Sequence, residues 1–260
     1  MKIGIYTNQT EYSQTVYQHL KQKLEQSAFE INNEQPDIVL TIGGDGTVLN
    51  AVHFYEKSLE HIKFMGIHTG HLGYYTDWLP KELDELIVFL KENEFKTIEY
   101  PLLEIDVVTK HDQKSYIAFN EMTLLNSFRT QHLNITINDV FFESFRGTGI
   151  CVSTPTGSTA YNKSLNGAIV YPTIKAIQLT EIASLNNNVF RTIGSPLLIP
   201  EGHVVVLESE SFQGVTLTRD HLYDTFTDVL QIKTTLSPRC VSFITREEQS
   251  FWHRVKQHFL

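Results

Sequence analysis

The chain has 260 residues, 41% of them hydrophobic and 20% charged, with only 14 Gly and 8 Pro, a composition that excludes a disordered or low-complexity protein. A net charge of −9 opposes broad attraction to nucleic acid or to an anionic membrane, so any polyanionic ligand needs local donors or a cation. The opening residues run straight into the strand-like IGIYT, and no run of about 18 apolar residues occurs, so the expected location is the cytoplasm, with neither nucleic-acid nor membrane partners.

The first hundred residues alternate short apolar runs with helical patterns. KIGIYT (2–7) reads as a strand, and residues 10–26 as a helix carrying Tyr12, Val16, Leu20 and Leu24 on one face. DIVLTI (37–42) is a second strand, and 47–59 a second helix aligning Val48, Val52 and Tyr55. IKFMGI (62–67) is a third strand, and Pro80 opens a helix over 80–93. Strand and helix in alternation predict a parallel sheet.

Beyond about residue 100 a period of two dominates, in LEIDVV (103–108), LNITIN (133–138), VVVLES (204–209), VTLT (215–218) and CVSFIT (240–245). IND before VFFESF reads as a tight hairpin and PEGH as a turn. The final stretch, 246–260, is helical, with Phe251, Val255 and Phe259 on one face. The expected organisation is an α/β domain over 1–100, a β-rich domain over 101–245, and a helix over 246–260 returning to the first domain.

The GGDG of IGGDGTV (42–48) follows an apolar strand and precedes a helix, where a parallel sheet's carboxyl edge meets a helix N-terminus and phosphate is the natural guest. The turn is neither a Walker A loop nor a G-x-G-x-x-G fingerprint, because an acid stands where the Lys would be. A carboxylate beside phosphate is repulsive unless it holds a metal ion, positions a hydroxyl or takes its proton. Asp45 therefore points to phosphoryl transfer, the alternative being that it caps the following helix. RGTGICVSTPTGSTAYNKSLNG (146–167) offers many small donors to a polar ligand, or else is a capped helix start whose hydroxyls serve the backbone. Tyr161 suits stacking on a base or packing in a core. On the residues alone, the Asn120-Glu121 pair reads as a surface feature. Cys151 and Cys240 read as buried thiols, and the His68/His71 pair lacks the third ligand of a metal site.

Together, GGDGT (43–47), HTGHLGY (68–74), FNE (119–121), STPTGSTAYNKSLNGAIV (153–170) and IGSPLLIP (193–200) resemble the NAD kinase family. GGDGT alone is shared with lipid kinases and loosely with phosphofructokinases. The resemblance implies transfer of the ATP γ-phosphoryl group to the 2′-hydroxyl of NAD's adenosine ribose, giving NADP, with a divalent cation, usually magnesium. It leaves open polyphosphate as an alternative donor. It also implies an α/β first domain, a β-rich second domain and a homo-oligomer, dimer or tetramer. Carried over by position, Asp45 is the catalytic acid/base and Gly46 its phosphate-side neighbour. Asn120 and Glu121 hold the ribose, and Thr159, Ala160, Tyr161 and Ser164 line the adenosine side. Arg146 and Ala183 lie near the nicotinamide. No residue is assigned as a metal ligand.

Two positions depart from the family pattern. Thr148 stands where the family usually has Asp, and Asp220-His221-Leu222 stands where many members have Asp-Gly-Gln, so His221 would reach the ligand by its ring. The rival readings are a lipid or sugar kinase, against which the acidic chain speaks, and a catalytically silent dinucleotide sensor.

Overall fold

A computed structural model describes residues 1–70, 73–226, 228–246 and 251–260. The chain forms two compact units, Met1–Tyr100 with Arg239–Leu260, and Pro101–Pro238.

The first unit is the α/β domain. Its strands β1 (Lys2–Thr7), β2 (Glu30–Ile31), β3 (Ile38–Ile42) and β4 (Lys63–Ile67) pair in parallel in the order β2-β1-β3-β4. β3 is buried along its whole length, as a strand covered on both faces requires. Helix α1 (Glu11–Gln26) starts at Thr10, whose hydroxyl accepts the Ser13 N–H. Its buried stripe is Ser13, Val16, Leu20 and Leu24, whereas Tyr12 is exposed. Successive steps of four rotate a face by about 40°, so the residue one turn before Val16 on the core side is Ser13. Helix α2 (Asp45–Phe54) ends sooner than its apolar pattern suggests: at Tyr55 the chain tightens into a 3-10 turn over Glu56–His61. Val48, Val52 and Tyr55 are nevertheless all buried. Pro80 opens a 3-10 turn that runs into α3 (Leu83–Glu92), with the Glu82 carboxylate accepting the Leu79 N–H and Asn93 closing the helix at φ 53°.

The second unit is the antiparallel β-rich domain. One sheet contains β5 (Thr97–Thr109), β6 (Gln113–Ala118), β8 (Gln131–Ile137), β9 (Val140–Gly147), β13 (Val205–Glu208) and the first part of β16 (Val229–Ile244). The other runs β12-β11-β10-β7-β14-β15, built from β7 (Glu121–Asn126), β10 (Gly149–Ser153), β11 (Ala176–Ile182), β12 (Leu197–Pro200), β14 (Val215–Arg219) and β15 (Leu222–Thr225). The period of two is visible in β5, where Ile105 and Val107 join Leu124, Phe145, Val152, Leu179 and Leu217 from both sheets in one core. The β8–β9 hairpin turns at Asn138 and Asp139, both at positive φ, as its two-residue loop demands. A short helix, α4 (Tyr161–Ser164), follows a 3-10 turn at Thr156–Thr159.

The chain passes between units inside β16, at Pro238–Arg239, rather than at 245: from Ser242 the strand pairs in parallel with β4. The closing helix, α5 (Phe251–Phe259), belongs to the first unit. Residues 247–250 of the expected helix, and His71 of the histidine pair, lie outside the described residues. Cys151 is buried, but Cys240 is only half-buried.

Candidate active site

In the first unit, β3 delivers the chain to the glycine turn and α2 begins at Asp45, with Gly44 as its cap. Gly43 has φ 156°, and a side chain there would overlap Thr47, so the turn requires glycine. At Gly44 and Gly46 a Cβ would meet nothing, so open space lies over the helix N-terminus and its unpaired N–H groups. That is the arrangement that binds phosphate.

Asp45 is the first residue of α2 and not its cap, which is Gly44. Its carboxylate instead accepts the backbone N–H of Tyr74 at 2.9 Å and of Tyr75 at 3.2 Å. Gly73 makes this possible, since a Cβ there would overlap the carboxylate. The glycine of HTGHLGY thus has a job that spacing could not reveal: it lets a second loop seat the acid of the first. Each Asp45 oxygen takes one of these donors and keeps acceptor capacity for a further partner. Among the described residues no group of three or more His, Cys, Asp or Glu could form a metal cage. His68 is buried with Nδ1 3.1 Å from the Gly70 carbonyl oxygen.

In the second unit, FNE sits at the junction of β6 and β7. Asn120 and Glu121 are each only 8% exposed, which overturns their reading as a surface pair. Two loops hold this segment. The Thr154 hydroxyl donates to the Phe119 carbonyl at 2.6 Å, the Thr156 hydroxyl to the same oxygen at 2.9 Å, and a Cβ at Gly157 would overlap the Asn120 carbonyl. From the other side, Asp220 occupies the left-handed position of the β14–β15 hairpin, at φ 53°. Its carboxylate accepts the N–H of Phe119 at 2.8 Å, Asn120 at 2.7 Å and Glu121 at 3.3 Å.

Burial, and then the charge of Asp220, push the Glu121 carboxyl up to about 8, while a hydrogen bond from the Tyr161 N–H pulls the other way. Glu121 therefore carries a proton at neutral pH and can both donate and accept. Its Oε2 is buried without a hydrogen-bond partner among the described residues, and so is the hydroxyl of Ser153, its cross-strand neighbour on β10. Orphaned buried polar atoms at this position suit the hydroxyls of a sugar.

The Tyr161 N–H brings 159–161 to Glu121. The Tyr161 side chain is 42% exposed, so it does not serve the core. The hydroxyls of Thr159 and Ser164 bond the backbone carbonyls of Thr156 and Tyr161, and Ala160 closes the 3-10 turn through its N–H to Gly157. The helix-start reading of these hydroxyls therefore holds alongside their nearness to Glu121. Asn162 accepts the Thr180 hydroxyl at 2.7 Å, and Gln178 grips both backbone groups of Ala168, which fastens the segment to β11. His221 is exposed, one residue past Asp220 in the same hairpin.

Arg146, Thr148 and Ala183 gather elsewhere. The Arg146 guanidinium lies 3.7 Å from the Phe190 ring centroid, its carbonyl accepts the Leu185 N–H, and Gly147 packs on the Ala183 carbonyl. The Thr148 backbone is tied to Ile182 and Asn126. These residues flank the Gly149 end of β10, and Glu121 pairs with the Ser153 end. Five residues of strand, about 16 Å, separate the two groups.

Sequence reading missed Asp220, Thr154, Thr156 and Gly73 as parts of the site. All four stand in segments that the sequence singles out, but their supporting roles depend on partners that lie far away in sequence.

Comparison with known proteins gives a consistent set of matches. The family model of the ATP-NAD kinase N-terminal domain matches residues 3–95, and that of the ATP-NAD kinase C-terminal domain residues 119–236. The chain is 42% identical to "NAD kinase 1" of a Bacillus cereus strain, over 100% of this chain and 99% of the relative. It is 46% identical to "NAD kinase 1" of Listeria monocytogenes over 89% of this chain and 88% of the relative. Among solved structures, a yeast NADH kinase complexed with NADH superposes with a TM-score of 0.87 at 21% identity, covering 99% of this chain and 87% of that one. An NAD kinase from Archaeoglobus fulgidus in complex with ATP superposes with a TM-score of 0.77 at 20% identity, covering 100% and 97%. At such identities these two show the fold.

Proposed function

Because the chain belongs to the NAD kinase family, we infer that it transfers the γ-phosphoryl group of ATP to the 2′-hydroxyl of NAD's adenosine ribose, giving NADP. The observation that carries the site assignment is the placement of Asp45: a carboxylate at the first position of α2, between two glycines over open space, held by the N–H groups of Tyr74 and Tyr75. In this reading Asp45 orients the 2′-hydroxyl and takes its proton as the bond to phosphorus forms. The α2 N-terminus and Gly46 receive phosphate oxygens. Phosphoryl transfer has a loose transition state, so such positioning supplies most of the catalysis.

Asn120 and Glu121 receive the ribose diol, the protonated Glu121 donating to one oxygen and accepting from another. Thr159, Ala160, Tyr161 and Ser164 line the adenosine side, and the exposed Tyr161 ring is available to a base. Arg146 and Ala183 serve the nicotinamide side, and His221 touches the ligand by its ring. The spacing along β10 suits an extended dinucleotide better than a single nucleoside. The described residues do not fit a magnesium ion held by the protein alone, since no group of three or more His, Cys, Asp or Glu among them could form a cage. Magnesium would enter with the ATP phosphates, where it would neutralise charge.

The setting we propose is the cytoplasm, with the protein a homo-oligomer, dimer or tetramer. Support for assembly comes from the edge strand β9, which exposes Val140 and Phe141 at 67% and 62%.

The test is NADP formation from NAD and magnesium-ATP by the purified protein, read with an NADP-specific dehydrogenase. Asp45→Asn should lower kcat by about 10² to 10⁴ with little change in NAD binding. An unchanged rate would return Asp45 to a spectator's role.

A further inference from the structure

The two peptide groups that hold Asp45 are themselves held from behind. Tyr74 N–H belongs to the Gly73–Tyr74 peptide and Tyr75 N–H to the Tyr74–Tyr75 peptide. The carbonyl oxygens of those same two peptides, Gly73 O and Tyr74 O, both accept Nη1 of Arg254, the first at 3.2 Å. Arg254 lies on α5 and is 6% exposed, and its Nη2 pairs with the buried carboxylate of Asp77. Helix α5 is seated over the same loop by aromatic contacts, with the His258 ring stacked on Tyr74 at 4.8 Å and Phe251 and Phe259 at 6.2 and 6.4 Å.

The carboxylate and the guanidinium thus face each other across two peptide groups, each bonded at both ends. A cation on a carbonyl polarises its peptide and strengthens the N–H on the other side. It also removes the peptide's freedom to rotate. A docking arginine that only pinned a terminal helix would need Asp77 and any nearby carbonyl. Here the carbonyls are those of the two peptides that contact Asp45.

We propose that Arg254 is a positioning residue for phosphoryl transfer, acting from the C-terminal helix through the Gly73–Tyr75 peptides to fix the orientation and hydrogen bonding of Asp45. This rests on the reading of Asp45 as the group that acts on the 2′-hydroxyl.

The experiment is a double-mutant cycle on the full chain, with Arg254→Met, Arg254→Lys and Asp45→Asn, singly and combined, and Phe259→Ala as a control that weakens helix docking and leaves Arg254 in place. Arg254→Met should lower kcat about 10- to 100-fold, with the KM for NAD and for ATP within about threefold, and Arg254→Lys should recover part of the loss. In the Asp45→Asn background, adding Arg254→Met should cost less than about threefold more, because the group through which it acts is already gone. Phe259→Ala should lose stability and keep kcat within about twofold.

Full additivity in the cycle, or a loss that follows thermal stability as in Phe259→Ala, overturns the proposal and makes Arg254 a docking residue. If Arg254→Met does not fold, the Arg254→Lys cycle decides by the same two readouts. An unchanged rate in Asp45→Asn alone overturns the reading of Asp45 and the proposal with it. A large loss in Asp45→Asn with an additive Arg254 effect overturns the proposal alone.

Discussion

The carboxylate of Asp220 accepts the backbone N–H of Asn120 at 2.7 Å, across a sequence separation of 100 residues. The bond is returned in kind, since the Asp220 N–H donates to the Glu121 carbonyl at 2.9 Å. With Phe119 and Glu121 also donating to it, Asp220 fixes the backbone on which the proposed ribose-binding pair is mounted. Its positive φ makes the residue type matter twice, because Asp tolerates the left-handed region better than most side chains.

Asp220→Ala should therefore weaken NAD binding more than it slows chemistry. Three N–H donors lose a charged acceptor, and the expected destabilisation is about 2–4 kcal/mol. The KM for NAD should rise by about tenfold or more, with kcat falling less. Asp220→Asn, which keeps one acceptor oxygen and the turn preference, should lie between. Denaturant titration and steady-state kinetics on the two variants test this, and equal KM values in all three proteins would contradict it.

Glu121 should make stability fall as pH rises. Its folded-state value, about 8, lies above the ordinary 4.5 because burial and Asp220 disfavour the charged form. The folded protein thus holds a proton that the unfolded chain has lost. The contribution is complete below about 4.5 and is lost as pH climbs through about 8, with a slope approaching about 1.4 kcal/mol per pH unit in between. Glu121→Gln should flatten that slope and be the more stable protein at pH 9, while NAD affinity falls. Thermal melts between pH 5 and 9 provide the check.

What the sequence made legible followed local rules. Strand and helix alternation foretold the parallel sheet, Asn138-Asp139 the hairpin, and the glycine turn marked the α2 N-terminus. β7 and β10 escape such reading because they are buried almost throughout and show no alternation. The seat of Asp45 was illegible for another reason: it is made of backbone N–H groups 29 and 30 residues away, and a backbone donor leaves no residue-type signature. Burial of Asn120-Glu121 came from loops around 154–157 and 220, which spacing along the chain cannot bring together. Residue types located the chemistry, and tertiary contacts supplied its support.

Gly73→Ala should separate catalysis from folding. No positive φ constrains Gly73; what excludes a side chain is the Asp45 carboxylate itself. The added methyl must push either the acid or the loop. We expect kcat to fall about 10- to 100-fold with a loss of stability under about 2 kcal/mol, since the site lies at a loop rather than in the core. Gly46→Ala, where a Cβ meets nothing in the protein, should leave stability nearly unchanged and raise the KM for ATP, because the open space is reserved for phosphate. Melting temperatures and kinetics of the two variants give the answer.

The loop after β11 carries a second pH response. The Glu143 carboxylate accepts the Ile193 N–H at 2.9 Å, and Glu181 takes the Thr192 hydroxyl at 2.7 Å and the Gly194 N–H at 3.4 Å. Burial first, and then Glu181, raise Glu143 to about 7, against the pull of Ile193. Ionising Glu143 is disfavoured in the folded protein by burial and by Glu181, so the stabilisation is present below about 4.5 and lost as pH rises through about 7. Amide exchange at Gly194, whose N–H is held by Glu181, corrected for its intrinsic pH dependence, should accelerate between pH 6 and 8 as Glu143 ionises beside it, and Glu143→Gln should abolish the acceleration. Since Arg146 stacks on Phe190 in the same loop, the KM for NAD should rise over that range in the unaltered protein and stay level in the variant. Exchange that is flat with pH in both proteins would mean that the two carboxylates do not communicate.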